Sequence, residues 1–113
     1  MKIFVDDVRE PPDRSWIVFR CMDTAFKFWS THRSEITEIS LDHDMGASWN
    51  DKFCGFLEHT NGYQFLVAME RTAFTHSSQG SPISIPLIHI HSANPQGRLN
   101  MEKCLESMKR FVS

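Results

Sequence analysis

The sequence predicts an α/β fold, a small three-layer sandwich with a mainly parallel four-stranded sheet. Three observations predict it. Short apolar runs alternate with helically spaced ones along the 113 residues, which is the signature of a parallel sheet with helices on its faces. The first strand candidate is a continuous apolar run, as expected of a strand covered on both sides. Three of the strand candidates run directly into Asp, His or Ser, at the carboxyl edge where open α/β sheets bind ligands.

The elements follow in order. Ile3-Phe4-Val5 forms the first strand and stops at Asp6-Asp7. Arg9 to Arg14 is a loop, because Pro11-Pro12 cannot lie inside a helix or a central strand. Trp16 to Phe19 is the second strand. Asp23 opens a helix as a cap or first-turn acid. Ala25, Phe28, Trp29 and His32 carry its spacing, and it ends near Arg33-Ser34. Ile36 to Leu41 alternates and leads into Asp42-His43-Asp44 as the third strand. Met45 to Thr60 shows no clear period, and loops of that length are often functional. Its Trp49, Phe53 and Phe56 either anchor the loop on the sheet or stack on a nucleobase.

Tyr63, Phe65, Leu66, Met69 and Ala73 define a helix from Gly62 that fades into the loop residues 77–82. Ile83 to Ile90 is the fourth strand. Pro86 within it argues for a sheet edge or for a start at Leu87. Pro95 suits the first turn of a last helix. Leu99, Met101, Cys104, Leu105, Met108 and Val112 are expected on its apolar side, with the methionines serving as core.

Length suits a single domain over residues 1–113. Apolar residues at 41% and charged residues at 23% exclude global disorder. A net charge of −2 gives no basic face for duplex nucleic acid. No apolar run approaches a membrane span, and the opening residues are too short for a signal peptide. Cys21, Cys54 and Cys104 have no CxxC spacing, so reduced thiols and a cytoplasmic location are expected.

The acids carry the functional argument. One Asp at a strand end is ordinarily a turn or cap residue. Two acidic pairs at two strand ends argue for a shared site. Asp6, Asp7, Asp42 and Asp44 would repel one another if brought together. A hard divalent cation, Mg²⁺ or alternatively Mn²⁺, removes that repulsion and would hold and polarise a phosphate group. Ser92, Asn94 and the amides opening the last helix are candidates for the remaining phosphate oxygens. Arg98 and Arg9 would add charge. His43 is either a general acid or base or a core-facing histidine. His91, at a strand end, is the stronger site candidate, and His89 reads as a satisfied core group. A zinc site from these histidines matches no standard spacing.

Taken together, Lys2-Ile-Phe-Val-Asp-Asp-Val-Arg9, Ile39-Ser-Leu-Asp-His-Asp44, Asn61-Gly-Tyr63 and His91-Ser-Ala-Asn-Pro-Gln-Gly97 with Met101 resemble the cyclic-phosphate processing receiver-like domain. That is a compact offshoot of the receiver fold. The resemblance implies a flavodoxin-like sheet and an acidic pocket. Asp6 and Asp7 match the receiver's Mg²⁺-binding pair. Asp42 or Asp44 matches its phosphoryl-accepting Asp, and Ser92 its hydroxyl residue. The lysine that receivers carry after a fifth strand has no counterpart, and the proline loop replaces their first helix. The function expected is metal-dependent hydrolysis of a cyclic phosphate or cyclic nucleotide, with Asp42, His43 and His91 catalytic. The alternative is a non-catalytic nucleotide- or protein-binding module, a degenerate receiver that sequesters a cyclic nucleotide. A phospho-acceptor switch is a third reading.

Overall fold

No four-residue strand buries its apolar side chains alone, so the short runs of this chain gain stability by pairing side by side. The structure, a computed structural model, describes residues 1–6, 9–42 and 61–112. Within them β1 (Lys2–Val5), β2 (Trp16–Phe19), β3 (Glu38–Leu41) and β4 (Leu87–Ile90) form one all-parallel sheet. The strand order is β2-β1-β3-β4. Helices α1 (Met22–Thr31), α2 (Gly62–Ser78) and α3 (Pro95–Met108) connect and follow the strands. This is the α/β, receiver-like class that the sequence predicts.

The pairing is in step. Lys2 to Val5 lie opposite Trp16 to Phe19 on one side and Glu38 to Leu41 on the other. Glu38 to Leu41 in turn lie opposite Leu87 to Ile90. Strand residues alternate between faces, so Ile3, Val5, Ile39 and Leu41 share one face, and all four are fully buried. Against them pack Trp29 of α1, Phe65, Leu66 and Met69 of α2, and Met101 and Met108 of α3. Each large apolar side chain buried in this way contributes about 1.5–3 kcal/mol. Phe4, Trp16, Ser40 and His89 belong to the opposite face. No described helix packs there, so among the described residues the helices form one layer rather than two. The proline loop stands in the chain where a helix crossing that face would run.

Helix ends follow the expected chemistry. Asn61 caps α2 by accepting from the Gln64 amide at 2.8 Å. Gly80, with φ of 77°, follows α2 in the left-handed conformation that glycine tolerates. Asp23 lies in the first turn of α1 and pairs with Lys27 at 3.2 Å. That helix stops at Thr31, slightly short of the expected end, where the His32 amide bonds back to Phe28 and Trp29.

Four expectations are corrected. The third strand starts at Glu38, because Ile36 is buried but unpaired while the Thr37 amide donates to Met1. Leu99 is 44% exposed. At 100° per residue it lies nearly opposite Met101, Cys104 and Met108, which form the buried stripe. His89 is satisfied by Glu38 at 3.1 Å but is half exposed rather than core. Cys21 is disulfide-bonded, whereas Cys104 is a free buried thiol. No helix of the described residues is long and apolar enough to cross a membrane.

Candidate functional site

In-step strands that end together place the next residue of each in a single row. The ladder continues one residue past the strands. Asp6 N donates to Phe19 O at 3.1 Å, Asp42 N to Val5 O at 3.1 Å and His91 N to Leu41 O at 3.0 Å. Arg20, Asp6, Asp42 and His91 therefore stand side by side at the carboxyl edge. Asp6, Asp42 and His91 each offer a ligand atom, and these atoms lie within 4.8 Å of one another.

Asp6 is fully buried, and a buried carboxylate must be compensated. Its Oδ1 accepts the Arg9 amide at 2.8 Å, and its Oδ2 meets His91 Nε2 at 3.0 Å. The Arg9 guanidinium stands 4.0 Å from Oδ2 and donates through Nη1 to the His91 carbonyl at 2.6 Å. Arg20 Nη1 donates to the Asp6 carbonyl at 3.2 Å. Cationic side chains from two segments thus bracket the acid.

His91 is held on three sides. Nδ1 meets Ser40 Oγ at 2.7 Å, Nε2 meets Asp6, and the ring stacks on Phe4 at 4.6 Å and 4°. An ionised carboxylate only accepts. In the neutral imidazole that assigns the proton to Nε2 and leaves Nδ1 to accept from the Ser40 hydroxyl. The result is a hydrogen-bonded chain Ser40–His91–Asp6 with a defined direction. Gly62 completes the wall: a Cβ there would lie 2.2 Å from the Asp42 carbonyl oxygen, so α2 approaches the acid as closely as a backbone can.

The remaining candidates separate. Arg9 reaches the cluster through its amide and its guanidinium. Ser92 and Asn94 turn the chain into α3, Ser92 Oγ accepting the Asn94 amide at 3.1 Å and Asn94 Oδ1 accepting the Gly97 amide at 3.0 Å. Arg98 is half exposed and pairs with Glu102 at 3.1 Å along α3, not with the cluster. Asp7, His43 and Asp44, with Trp49, Phe53 and Phe56, lie outside the described residues.

Sequence reasoning missed Ser40, Phe4 and Arg20. Strand alternation carried the signal for two of them. Ser40 precedes Asp42 by two and Phe4 precedes Asp6 by two, so each pair shares a face. Arg20 is the residue after a strand end, the position already used to pick Asp6 and Asp42.

Neither the comparison with curated proteins nor that with solved structures returns a match. The family model described as Cyclic-phosphate processing Receiver domain matches residues 1–107. With a parallel sheet in the order β2-β1-β3-β4 and an acidic cluster at its carboxyl edge, the chain belongs to the cyclic-phosphate processing receiver domain family.

Proposed function

We propose that the chain hydrolyses a cyclic phosphate, with cyclic nucleotides as the substrate class, at the Asp6–Asp42–His91 cluster in a divalent-metal-dependent reaction. The convergence of these three donors within 4.8 Å is the observation that carries the reading. The donor set fits a hard cation. Asp6 and Asp42 supply carboxylate oxygens suited to Mg²⁺ or Mn²⁺. Asp7 and Asp44 are proposed as further ligands. A bound cation would offset phosphate charge and polarise the phosphorus.

The chain's own residues supply the rest. Arg9, half exposed beside His91, is placed to meet a phosphate oxygen. Ser92, Asn94 and Arg98 are retained as weaker phosphate contacts, since each already has a partner. Water adds its oxygen to phosphorus and one ring P–O bond breaks. Asp42 takes the water proton and returns it to the departing oxygen, while His91, held by Ser40 at Nδ1 and Asp6 at Nε2, orients the cluster around the phosphate. His43 is the alternative proton carrier.

A second reading, a nucleotide-binding module without turnover, draws on Arg9 and His91, which already compensate Asp6 within the protein. One experiment separates the two. The protein is incubated with a panel of cyclic nucleotides and Mn²⁺ or Mg²⁺, with product followed by ³¹P NMR. Turnover that falls by about a hundredfold or more in Asp42→Asn supports hydrolysis. Thermal stabilisation without product supports the binding module. The absence of both turnover and stabilisation refutes both readings.

A further inference from the structure

Two acids and a histidine within reach of one another invite the reading that all three hold a cation. The hydrogen bonds of the histidine argue otherwise. His91 Nε2 meets Asp6 Oδ2 at 3.0 Å and Nδ1 meets Ser40 Oγ at 2.7 Å. An ionised carboxylate accepts only, so the proton between His91 and Asp6 sits on Nε2. This holds for the neutral ring and for imidazolium alike, because they differ at Nδ1, where the Ser40 hydroxyl can donate or accept. A ring nitrogen binds a cation through the lone pair that its proton would occupy. Turning the ring over offers no other nitrogen. A flip would set ring carbons against Asp6 and Ser40 and forfeit both hydrogen bonds. Phe4, stacked at 4.6 Å and 4°, fixes the ring plane, and the Leu41 carbonyl holds the His91 amide at 3.0 Å. Each carboxylate oxygen has two lone-pair sites, so a hydrogen bond from His91 and a cation on the same carboxylate are compatible.

We propose that His91 is a positioning residue that stays outside the ligand shell of the cation, aiming the Asp6 carboxylate at the ion through its Nε2–H. This role presupposes the cation site proposed at Asp6 and Asp42, and it sets what that site accepts. Carboxylate oxygens suit Mg²⁺ and Mn²⁺, whereas imidazole nitrogen is a preferred donor for Zn²⁺. With a bare Nε2, the same three residues would form the donor set of a zinc centre. With Nε2 protonated, the described part of the cluster presents oxygen alone. Asp6 thus does two things at once: it offers itself to the ion and, by claiming the Nε2 proton, withholds the nitrogen. Partners that orient a metal ligand in this way govern metal affinity by about ten- to a hundredfold.

Spectroscopy and calorimetry on the full chain test this. In ¹H–¹⁵N NMR of the Mg²⁺-saturated protein, His91 Nε2 should keep its proton. In electron spin echo spectroscopy of the Mn²⁺-loaded protein, nitrogen bonded to the ion modulates the echo, and the echo of His91→Gln should match the parent's. Gln carries an amide N–H near the place of Nε2. His91→Gln should therefore hold Mn²⁺ within about threefold of the parent, while His91→Ala, with no donor to Asp6, should lose about tenfold or more. The Zn²⁺ concentration that displaces bound Mn²⁺ should be the same for the parent and His91→Gln. Circular dichroism checks that the variants fold, and the NMR measurement needs neither of them. Loss of the Nε2 proton on Mg²⁺ addition, a nitrogen signal that His91→Gln abolishes, or a tolerance of His91→Gln to Zn²⁺ raised about tenfold makes His91 a ligand and overturns the proposal, leaving the cation site standing. Equal Mn²⁺ affinity in the parent and a folded His91→Ala overturns the positioning role. A parent that takes up no Mn²⁺ or Mg²⁺ by calorimetry overturns the cation site and the role of His91 together.

Discussion

Replacing Gly62 by alanine tests whether backbone packing builds the acidic edge. Gly62 opens α2 directly against the end of β3. A Cβ there would lie 2.2 Å from the Asp42 carbonyl oxygen, 3.1 Å from its carbon and 2.7 Å from Met101 Cε. The methionine tip can swing aside, but the carbonyl is backbone of Asp42, whose amide is held by Val5. Relief requires α2 and the strand end to part by about 1 Å to regain ordinary contact distance. Forcing a methyl into packed structure costs about 1–3 kcal/mol. The usual helix advantage of alanine over glycine, about 0.5–1 kcal/mol in a helix interior, offsets little at the first position. The expected net loss is about 1–3 kcal/mol, or a Tm lowered by roughly 5–15 °C in a domain of this size.

Urea denaturation followed by circular dichroism measures the loss, and calorimetry with Mn²⁺ measures the site. Gly62→Ala should lower the midpoint at constant slope and weaken the Mn²⁺ heat, because Asp42 is displaced. Gly80→Ala is the control. It meets no atom within 4 Å and only strains a φ of 77°. It should cost about 1 kcal/mol and leave the Mn²⁺ heat alone. A Gly62→Ala protein with the parent's midpoint would refute the packing argument. Lower stability with unchanged Mn²⁺ heat would refute its link to the site.

Three further predictions follow from the same geometry. Burial, and secondarily the charge of Glu70, pushes the Cys104 thiol up from 9.0 to about 11. The folded chain therefore keeps a proton that the unfolded chain loses. Stability present below pH 9 should decline by up to about 2 kcal/mol as pH rises toward 11, and Cys104→Ala should flatten that slope in denaturation at pH 8 and 10.5. Asn94→Ala removes the cap of α3 and should cost about 1 kcal/mol by urea denaturation; no change would show that the Gly97 amide finds another acceptor. The Ser15 hydroxyl and amide hold the Asp13 carboxyl below its ordinary value. Ser15→Ala should move the Asp13 titration upward by NMR, and an unmoved titration would remove the hydroxyl as its cause.

Much of this architecture was legible because it is local. Trp16–Phe19 reads as a strand from composition alone. Pro86 marks where β4 can begin and Pro95 where α3 can. Asp6, Asp42 and His91 were identifiable because each follows an apolar strand, and strand ends are visible in one dimension. Their hydrogen bonds were not. That His91 meets Asp6 depends on strand order, which places β3 between β1 and β4 and brings together residues 85 positions apart. The pairing of Arg98 with Glu102 was not legible because a first-turn arginine beside a phosphate site and one paired to the acid four residues on look identical in sequence. Leu99 misled because apolar residues also sit on exposed helix faces, and only the angular position separates it from Met101. Cys21 misled because an odd cysteine count excludes complete pairing, not one bridge.

The in-step register turns the sheet edge into a comb whose teeth are spaced about 4.8 Å apart. Exchanging the side chain on one tooth — Arg20, Asp6, Asp42 or His91 — changes the chemistry presented without moving the others. Inserting or deleting one strand residue does the opposite, because it turns that tooth to the far face and exposes its core side chains. Redesign of this edge is thus open to point substitution and closed to changes in strand length.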